Sequence, residues 1–203
     1  MKEINRFRPI SFAILISLGF FVASGCTHMF EQPIHKINVD PVAEKIDLNV
    51  ALILTDNFRN AKYQREEMGD KWIIPIGENL VHHSVELMNR VFAYSVTLDE
   101  SINKSPNKNI KYVMTPELIF FDWAFGAFAG SESKISICVK WTLTDTSGKT
   151  LWVETIKGIG IGKSGNIFNG DERIKTKVQN ALQDLFNNSQ NAILSSRLLR
   201  KLG

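Results

Sequence analysis

Apolar and polar residues alternate most regularly between Lys134 and Thr144. A period of two predicts a β-strand with one buried face. The turn residues Asp145–Lys149 follow, and a second strand is predicted from Lys149 to Ile161, which together predict a β-hairpin. The residues expected on its buried face are Ile135, Ile137, Val139, Trp141 and Leu143.

Two other stretches place apolar residues three and four positions apart, the spacing of an amphipathic helix. The first follows Gly77 and carries Leu80, Val81, Ser84, Val85, Leu87, Met88, Val91 and Phe92. The second is long, bends near Asn187–Ser189, and carries Ile174, Val178, Ala181, Leu182, Leu185, Phe186, Ala192, Ile193 and Leu199. Each stripe predicts a helix that packs one face on a sheet.

Shorter apolar runs complete the predicted fold. Val50–Leu54 is typical of a buried strand, and strands are also predicted from Phe92 to Leu98, from Lys111 to Met114 and from Glu117 to Phe125. The charged stretch Asp56–Gly69 is predicted as a surface loop. This order favours an α+β class: a mainly antiparallel sheet with two amphipathic helices packed on one face.

The N-terminus has the pattern of a secretory signal peptide. Three basic residues lie among the first eight, and Ile10–Val22 is an uncharged apolar run that is short for a membrane span. The sequence Ala23-Ser-Gly-Cys26 then resembles the lipobox of bacterial lipoproteins, although leucine is commoner than alanine at its first position. An ordinary signal peptide with a chance cysteine, or an uncleaved anchor, are the alternatives.

The lipobox resemblance implies cleavage between Gly25 and Cys26 and acylation of Cys26, which becomes the first mature residue. By similarity to Gram-negative lipoproteins, Thr27 in place of aspartate implies the outer membrane, with the chain facing the periplasm. We therefore expect a signal peptide (1–25), a lipidated polar tether (26–48) and a single α+β domain (49–203).

Charge and cysteine content narrow the classes of function. The chain has 24 Lys and Arg against 21 Asp and Glu, and residues 1–25 hold three of the bases and one of the acids, so residues 26–203 carry a net charge of +1. Such a balance does not point to nucleic acid. Cys138 is the only other cysteine, so no internal disulfide is expected and the apolar core must stabilise the domain.

Motifs with catalytic or ligand-binding chemistry are weak. Gly160–Gly165 matches G-x-G-x-x-G but is predicted as a glycine loop at the end of a strand. Glu78, His82 and Glu86 share one helix side and have zinc-binding chemistry, but a solvated helix face is the preferred interpretation. No nucleophile elbow and no metalloprotease helix motif is present. We therefore expect no enzyme activity, no cofactor and no metal.

The stretch Ile119–Gly130 (IFFDWAFGAFAG) is the most aromatic in the chain. Ile119–Trp123 is predicted as a core strand with Ile119, Phe121 and Trp123 facing the helices. Phe125–Gly130 is predicted as a loop, whose two phenylalanines either fold inward or form an exposed apolar tip. Trp123, Phe125 and Phe128 are the candidate contacts with a partner.

The mature chain resembles small α+β envelope lipoproteins. Examples are the auxiliary lipoproteins of ABC-type transport and proteins with the N-terminal fold of the Tol–Pal periplasmic protein. The likeness lies in Val50–Leu54, Ile74–Gly77 and the hairpin Trp141–Trp152. It implies a non-enzymatic scaffold or accessory subunit of an envelope assembly or transport complex. The alternative is a carrier of lipids or small ligands, which requires a deep apolar pocket.

Overall fold

The computed structural model describes residues 26–67, 70–99, 110–124, 132–163 and 170–203. Within these ranges two β-sheets and four helices are present, and the two long helices pack against each other and against the larger sheet. The predicted α+β class is confirmed. Among the helices within these ranges, none is long and apolar enough to cross a membrane.

Eight strands are present in the described ranges, and we number them in chain order. They are β1 (Thr27–Met29), β2 (Ile46–Leu54), β3 (Lys62–Glu67), β4 (Asp70–Pro75), β5 (Phe92–Asp99), β6 (Tyr112–Ala124), β7 (Glu132–Asp145) and β8 (Thr150–Lys163). The helices are α1 (Asp56–Arg59), α2 (Gly77–Val91), α3 (Gly170–Ser195) and α4 (Arg197–Leu202).

The larger sheet has the strand order β5-β2-β6-β7-β8. Its β2 pairs in parallel with β5 and β6, whereas β6, β7 and β8 are antiparallel neighbours. The predicted hairpin corresponds to β7 and β8. At its turn, one carboxylate oxygen of Asp145 accepts the backbone N–H groups of Ser147 (2.9 Å) and Lys149 (3.0 Å), and Gly148 adopts a φ of 85°. The turn residues therefore set the register of the two strands.

Helix α3 lies directly on β8 because two glycines leave space for its backbone. A Cβ at Gly158 would lie 2.1 Å from the carbonyl oxygen of Ala181, and one at Gly160 would lie 1.9 Å from that of Lys177. The indole Nε1 of the fully buried Trp141 on β7 donates to Ser189 Oγ at 3.0 Å. The interface between α3 and the sheet is therefore filled by side chains and by close backbone contact.

Strand β8 continues to Lys163, so the glycine motif begins within a strand rather than forming only a loop. Its first glycine, Gly160, serves close packing against α3. Residues 164–169 lie outside the described ranges. Helix α3 also runs unbroken through Asn187–Ser189. The break comes at Ser196, whose side chain caps α4 by accepting the N–H of Leu199 at 3.3 Å.

The stretch predicted as a charged loop instead forms α1 and β3, the first strand of a hairpin with β4. Strands β3 and β4 are antiparallel, β1 pairs in parallel with β4, and these three form the smaller sheet. Tyr63 on β3 is buried while Lys62 and Gln64 are exposed, so a single inward residue marks this strand as structured. Its other residues are charged or polar, which concealed the alternation.

An aromatic cluster joins the smaller sheet to β6, and we define it as Phe30, Tyr63, Trp72, Phe121 and Trp123. The Trp123 ring centroid lies 6.1 Å from Phe30, 6.1 Å from Tyr63 and 6.0 Å from Trp72, each with an edge-on geometry. Tyr63 also lies 5.4 Å from Phe121. The aromatic-rich stretch of β6 is thus the contact that unites the two sheets.

The predicted inward orientation of Ile119 is wrong. Ile119 is 46% exposed and Phe120 is 40% exposed, because the pairing of β6 with β7 shifts by one residue between Leu118 and Phe120. Since side chains alternate along a strand, a β-bulge reverses the face of every residue beyond it. The bulge keeps Phe121 and Trp123 inward and places Ile119 outward.

The close contact between β8 and α3 yields a test of stability. We expect Gly160→Ala to lower the free energy of unfolding by about 1–3 kcal/mol or more, because its Cβ would overlap backbone atoms. Gly162→Ala is the matched control, since its Cβ would meet only the flexible Lys177 side chain, at 3.1 Å. Urea denaturation measures both variants. Equal stability of the two would contradict the packing described here.

Candidate functional site

The segment expected as a tether lies on the domain instead. Residues 30–40, which we call the N-terminal strap, run against α2 and α3 without joining either sheet. Four of its side chains are buried, each 7–8% exposed: Phe30, Gln32, His35 and Ile37. An extended segment outside a sheet needs partners for its backbone polar groups. Helix side chains supply them here.

Two residues of α2 hold one side of the strap. The side chain of Asn79 is buried, its Oδ1 accepts the N–H of His35 at 2.8 Å, and its Nδ2 donates to the carbonyl of Pro33 at 3.0 Å. Near the end of the helix, the guanidinium of Arg90 donates to the carbonyl of Val39 at 3.1 Å. An amide side chain suits this task because it donates and accepts at once.

Three glutamines of α3 hold the other side. Gln179 donates to the carbonyl of Lys36 at 2.9 Å, and Gln190 donates to that of Asp40 at 2.8 Å. Between them, Gln183 accepts the N–H of Asn38 and donates to its carbonyl. A spacing of four and then seven residues puts all three amides on one side of the helix, beside the apolar stripe.

The strap brings Cys26 to the edge of the smaller sheet. Cys26 is exposed, its backbone N–H donates to a carboxylate oxygen of Asp70 at 3.0 Å, and its carbonyl accepts the N–H of Lys71 at 2.9 Å. Beside it, His28 stacks on Trp72 with ring centroids 4.5 Å apart. The backbone of the predicted lipidation residue is therefore bound to β4, while its side chain faces solvent.

The strap also carries a buried histidine. The Nε2 atom of His35 lies 3.0 Å from Oε1 of Gln32, so the two side chains share a hydrogen bond. Burial lowers the pKa of His35, and the nearby His83 and Lys175 lower it further. The ring is therefore neutral near pH 7, which suits its place under the strap.

The other predicted contact residues differ in location. Trp123 is 5% exposed and lies in the aromatic cluster, so its side chain offers little surface to a partner. Gly25, Phe125 and Phe128 lie outside the described residues, and their roles stay predictions. Sequence reasoning gave no role to the exposed pair Ile119 and Phe120, because only the bulge brings both to the outer face.

The structure changes which residues belong to the possible zinc-binding group noted in the sequence, Glu78, His82 and Glu86. His82 and Glu86 lie together with His83, whereas Glu78 is not part of this group. Cys138 is buried on β7, and burial raises the pKa of its thiol, with Lys157 opposing that shift. A thiol in this state is a poor nucleophile.

Comparison with solved structures shows a shared fold. Protein XCC0632 from Xanthomonas campestris, assigned to the DUF330 family model, matches with a TM-score of 0.53 at 9% identity, over 82% of this chain and 95% of that one. A minor lipoprotein from Acinetobacter baumannii matches with a TM-score of 0.48 at 13% identity, over 76% of this chain and 96% of that one. At 9% identity, the match to XCC0632 shows the fold alone.

Sequence comparison adds no family. No protein-family model matches the chain, and no curated protein matches it. The function must therefore be argued from the residues themselves.

The two hydrogen bonds of Asn79 make a direct test of the strap. We expect Asn79→Ala to cost about 1–3 kcal/mol of stability, because the N–H of His35 and the carbonyl of Pro33 lose their partner. Amide exchange at His35 should become faster. Asn57→Ala, at an exposed position of α1, is the control and should change stability by less than about 0.5 kcal/mol. Unchanged exchange at His35 in the Asn79 variant would show that this side chain does not hold the strap.

Proposed function

We propose that the protein is a non-enzymatic lipoprotein of the outer membrane that faces the periplasm and serves as a scaffold or accessory subunit of an envelope assembly or transport complex. The single observation that carries this proposal is the placement of Cys26. The lipobox cysteine is exposed, and hydrogen bonds to Asp70 and Lys71 hold its backbone on the domain.

This placement defines how an acylated chain would present its domain. Each buried methylene contributes about 0.8 kcal/mol, so two or more acyl chains anchor a protein stably while one binds reversibly. Acylation of the Cys26 nitrogen converts an amine to an amide and leaves one N–H, which is sufficient for the bond to Asp70. Because no flexible spacer separates Cys26 from β4, the domain would lie close to the bilayer.

Tethering can serve a complex without catalysis. Confinement to a membrane surface raises the effective concentration of the domain near partners in the same membrane. The exposed side chains of Ile119 and Phe120 give β6 an apolar outer face, and the solvent side of α3 is a second available surface. These surfaces join Phe125 and Phe128 as candidate contacts.

The carrier alternative has less support. A carrier of the kind considered above needs a cavity between the sheet and its helices. Where α3 crosses β8, the backbones approach so closely at Gly158 and Gly160 that a single added Cβ would overlap them. A ligand has no room at that interface.

Removal of the lipidation site tests the anchoring. We expect Cys26→Ser to move the protein from the membrane fraction to the soluble periplasmic fraction, because the acyl chains lose their attachment. Cys138→Ser is the matched control, since it removes the other cysteine and should stay with the membrane. Fractionation followed by immunoblotting measures both. Retention of the Cys26 variant on the membrane would refute lipid anchoring.

The sorting position tests the choice of membrane. Thr27 is exposed at the start of β1, so a substitution there does not disturb the core. We expect Thr27→Asp to shift the protein to the inner-membrane fraction in a density gradient, and Thr27→Ser to leave it in the outer membrane. An inner-membrane location of the unsubstituted protein would contradict the proposed outer-membrane address.

A further inference from the structure

Three side chains of α2 converge at the middle of the helix. Nδ1 of His83 lies 3.0 Å from Oε2 of Glu86, and Nε2 of His82 lies 3.6 Å from Oε1 of the same carboxylate. One ligating atom from each residue lies within 4.8 Å of the others. Spacings of three and four residues along a helix bring both histidines to Glu86.

These separations are close to those of a metal site. Imidazole nitrogens and carboxylate oxygens bind Zn²⁺ at about 2.0–2.2 Å, so tetrahedral ligands lie about 3.3 Å apart. The two measured separations lie on either side of that value. The side chains of His82 and Glu86 are 45% and 43% exposed, so both can adjust around an ion without moving the core.

His83 is already fixed in place. It is 3% exposed, and its ring packs edge-on against Phe186 of α3 with ring centroids 5.4 Å apart. A side chain in a fixed orientation loses little side-chain entropy when it binds a ligand.

The cluster opens onto a groove between α2 and the strap. This groove has a volume of about 430 Å³ and is lined by residues 34–39 together with His82, His83, Glu86 and Arg90. The guanidinium of Arg90 donates to the carbonyl of Val39 at 3.1 Å. The groove gives water access to a position beside the three ligands.

We propose that His82, His83 and Glu86 bind one Zn²⁺ ion, with a water molecule from the groove as the fourth ligand. Two imidazoles and one carboxylate suit Zn²⁺, whereas Mg²⁺ and Ca²⁺ require mostly oxygen ligands. This site is independent of the acyl anchor and of the proposed scaffold role. It lies where the strap meets α2, so a bound ion would stiffen the wall of the strap groove.

Titration with Zn²⁺ alone tests the proposal, using the chain purified in detergent without a histidine tag and stripped with a chelator. Isothermal titration calorimetry should show one ion per chain, and Mg²⁺ should give no binding. We expect His82→Ala and Glu86→Gln each to weaken Zn²⁺ binding by about 10–100-fold or more. Loss of a residue that only orients a metal ligand already weakens binding by about that factor. Because both side chains are exposed, circular dichroism should show that the variants keep the fold.

Glu78→Gln is the matched control, since it lies exposed on the same helix four residues before His82. Its Zn²⁺ affinity should equal that of the unsubstituted chain. The proposal is overturned if the chain takes up no Zn²⁺, or if the His82 and Glu86 variants bind it unchanged. It is also overturned if His28→Ala, beside the N-terminus, removes the binding instead.

Discussion

The position of the N-terminal strap depends on side-chain amides that satisfy its backbone. Apart from Phe30, whose N–H donates to the carbonyl of Ile73 on β4 at 2.9 Å, the strap does not pair with a strand, so its N–H and carbonyl groups need other partners. Asn79 from α2 and the three glutamines of α3 take that place, and they bond the strap at alternating points along its length. Strand β1, which directly follows Cys26, pairs with β4 and places Cys26 beside it. The proposed lipidation site is therefore held on the folded domain.

Two closely packed interfaces fill the interior of the domain. The glycines of β8 bring α3 into backbone contact with the sheet, and the aromatic cluster fills the space between the two sheets. The abundant apolar side chains of the sequence pack in these two interfaces. The proposed functional groups all lie on the outside of the domain: Cys26, the exposed residues of β6 and the histidine cluster of α2.

Sequence patterns predicted the elements that depend on interactions between residues close together in the chain. The hairpin of β7 and β8 could be predicted because alternation and the turn residues around Gly148 act within a few residues of each other. The two helices followed from their apolar stripes. Ile119 could not be placed, because a bulge in the pairing with β7 sets its face. The strap was missed because Gln183 and Asn38 are 145 residues apart in sequence, and nothing in a polar segment signals such a distant partner.

The candidate sites also differ in how far the sequence could predict them. Cys26 was found from a contiguous motif, and its exposure agrees with the role that the motif implies. The histidine cluster was only half visible, because the burial of His83 depends on Phe186, which comes from a different helix. Helical spacing alone favoured Glu78, and tertiary packing favoured His83.

The proposed function depends most on whether Cys26 is acylated in the native protein. Mass spectrometry of the N-terminal peptide, released by protease from the protein purified from its own membranes, measures that state directly. We predict a chain that begins at Cys26, with a diacylglycerol thioether on Sγ and a further acyl group on the amino nitrogen. A peptide with an unmodified cysteine, or one that still contains residues 1–25, would contradict it.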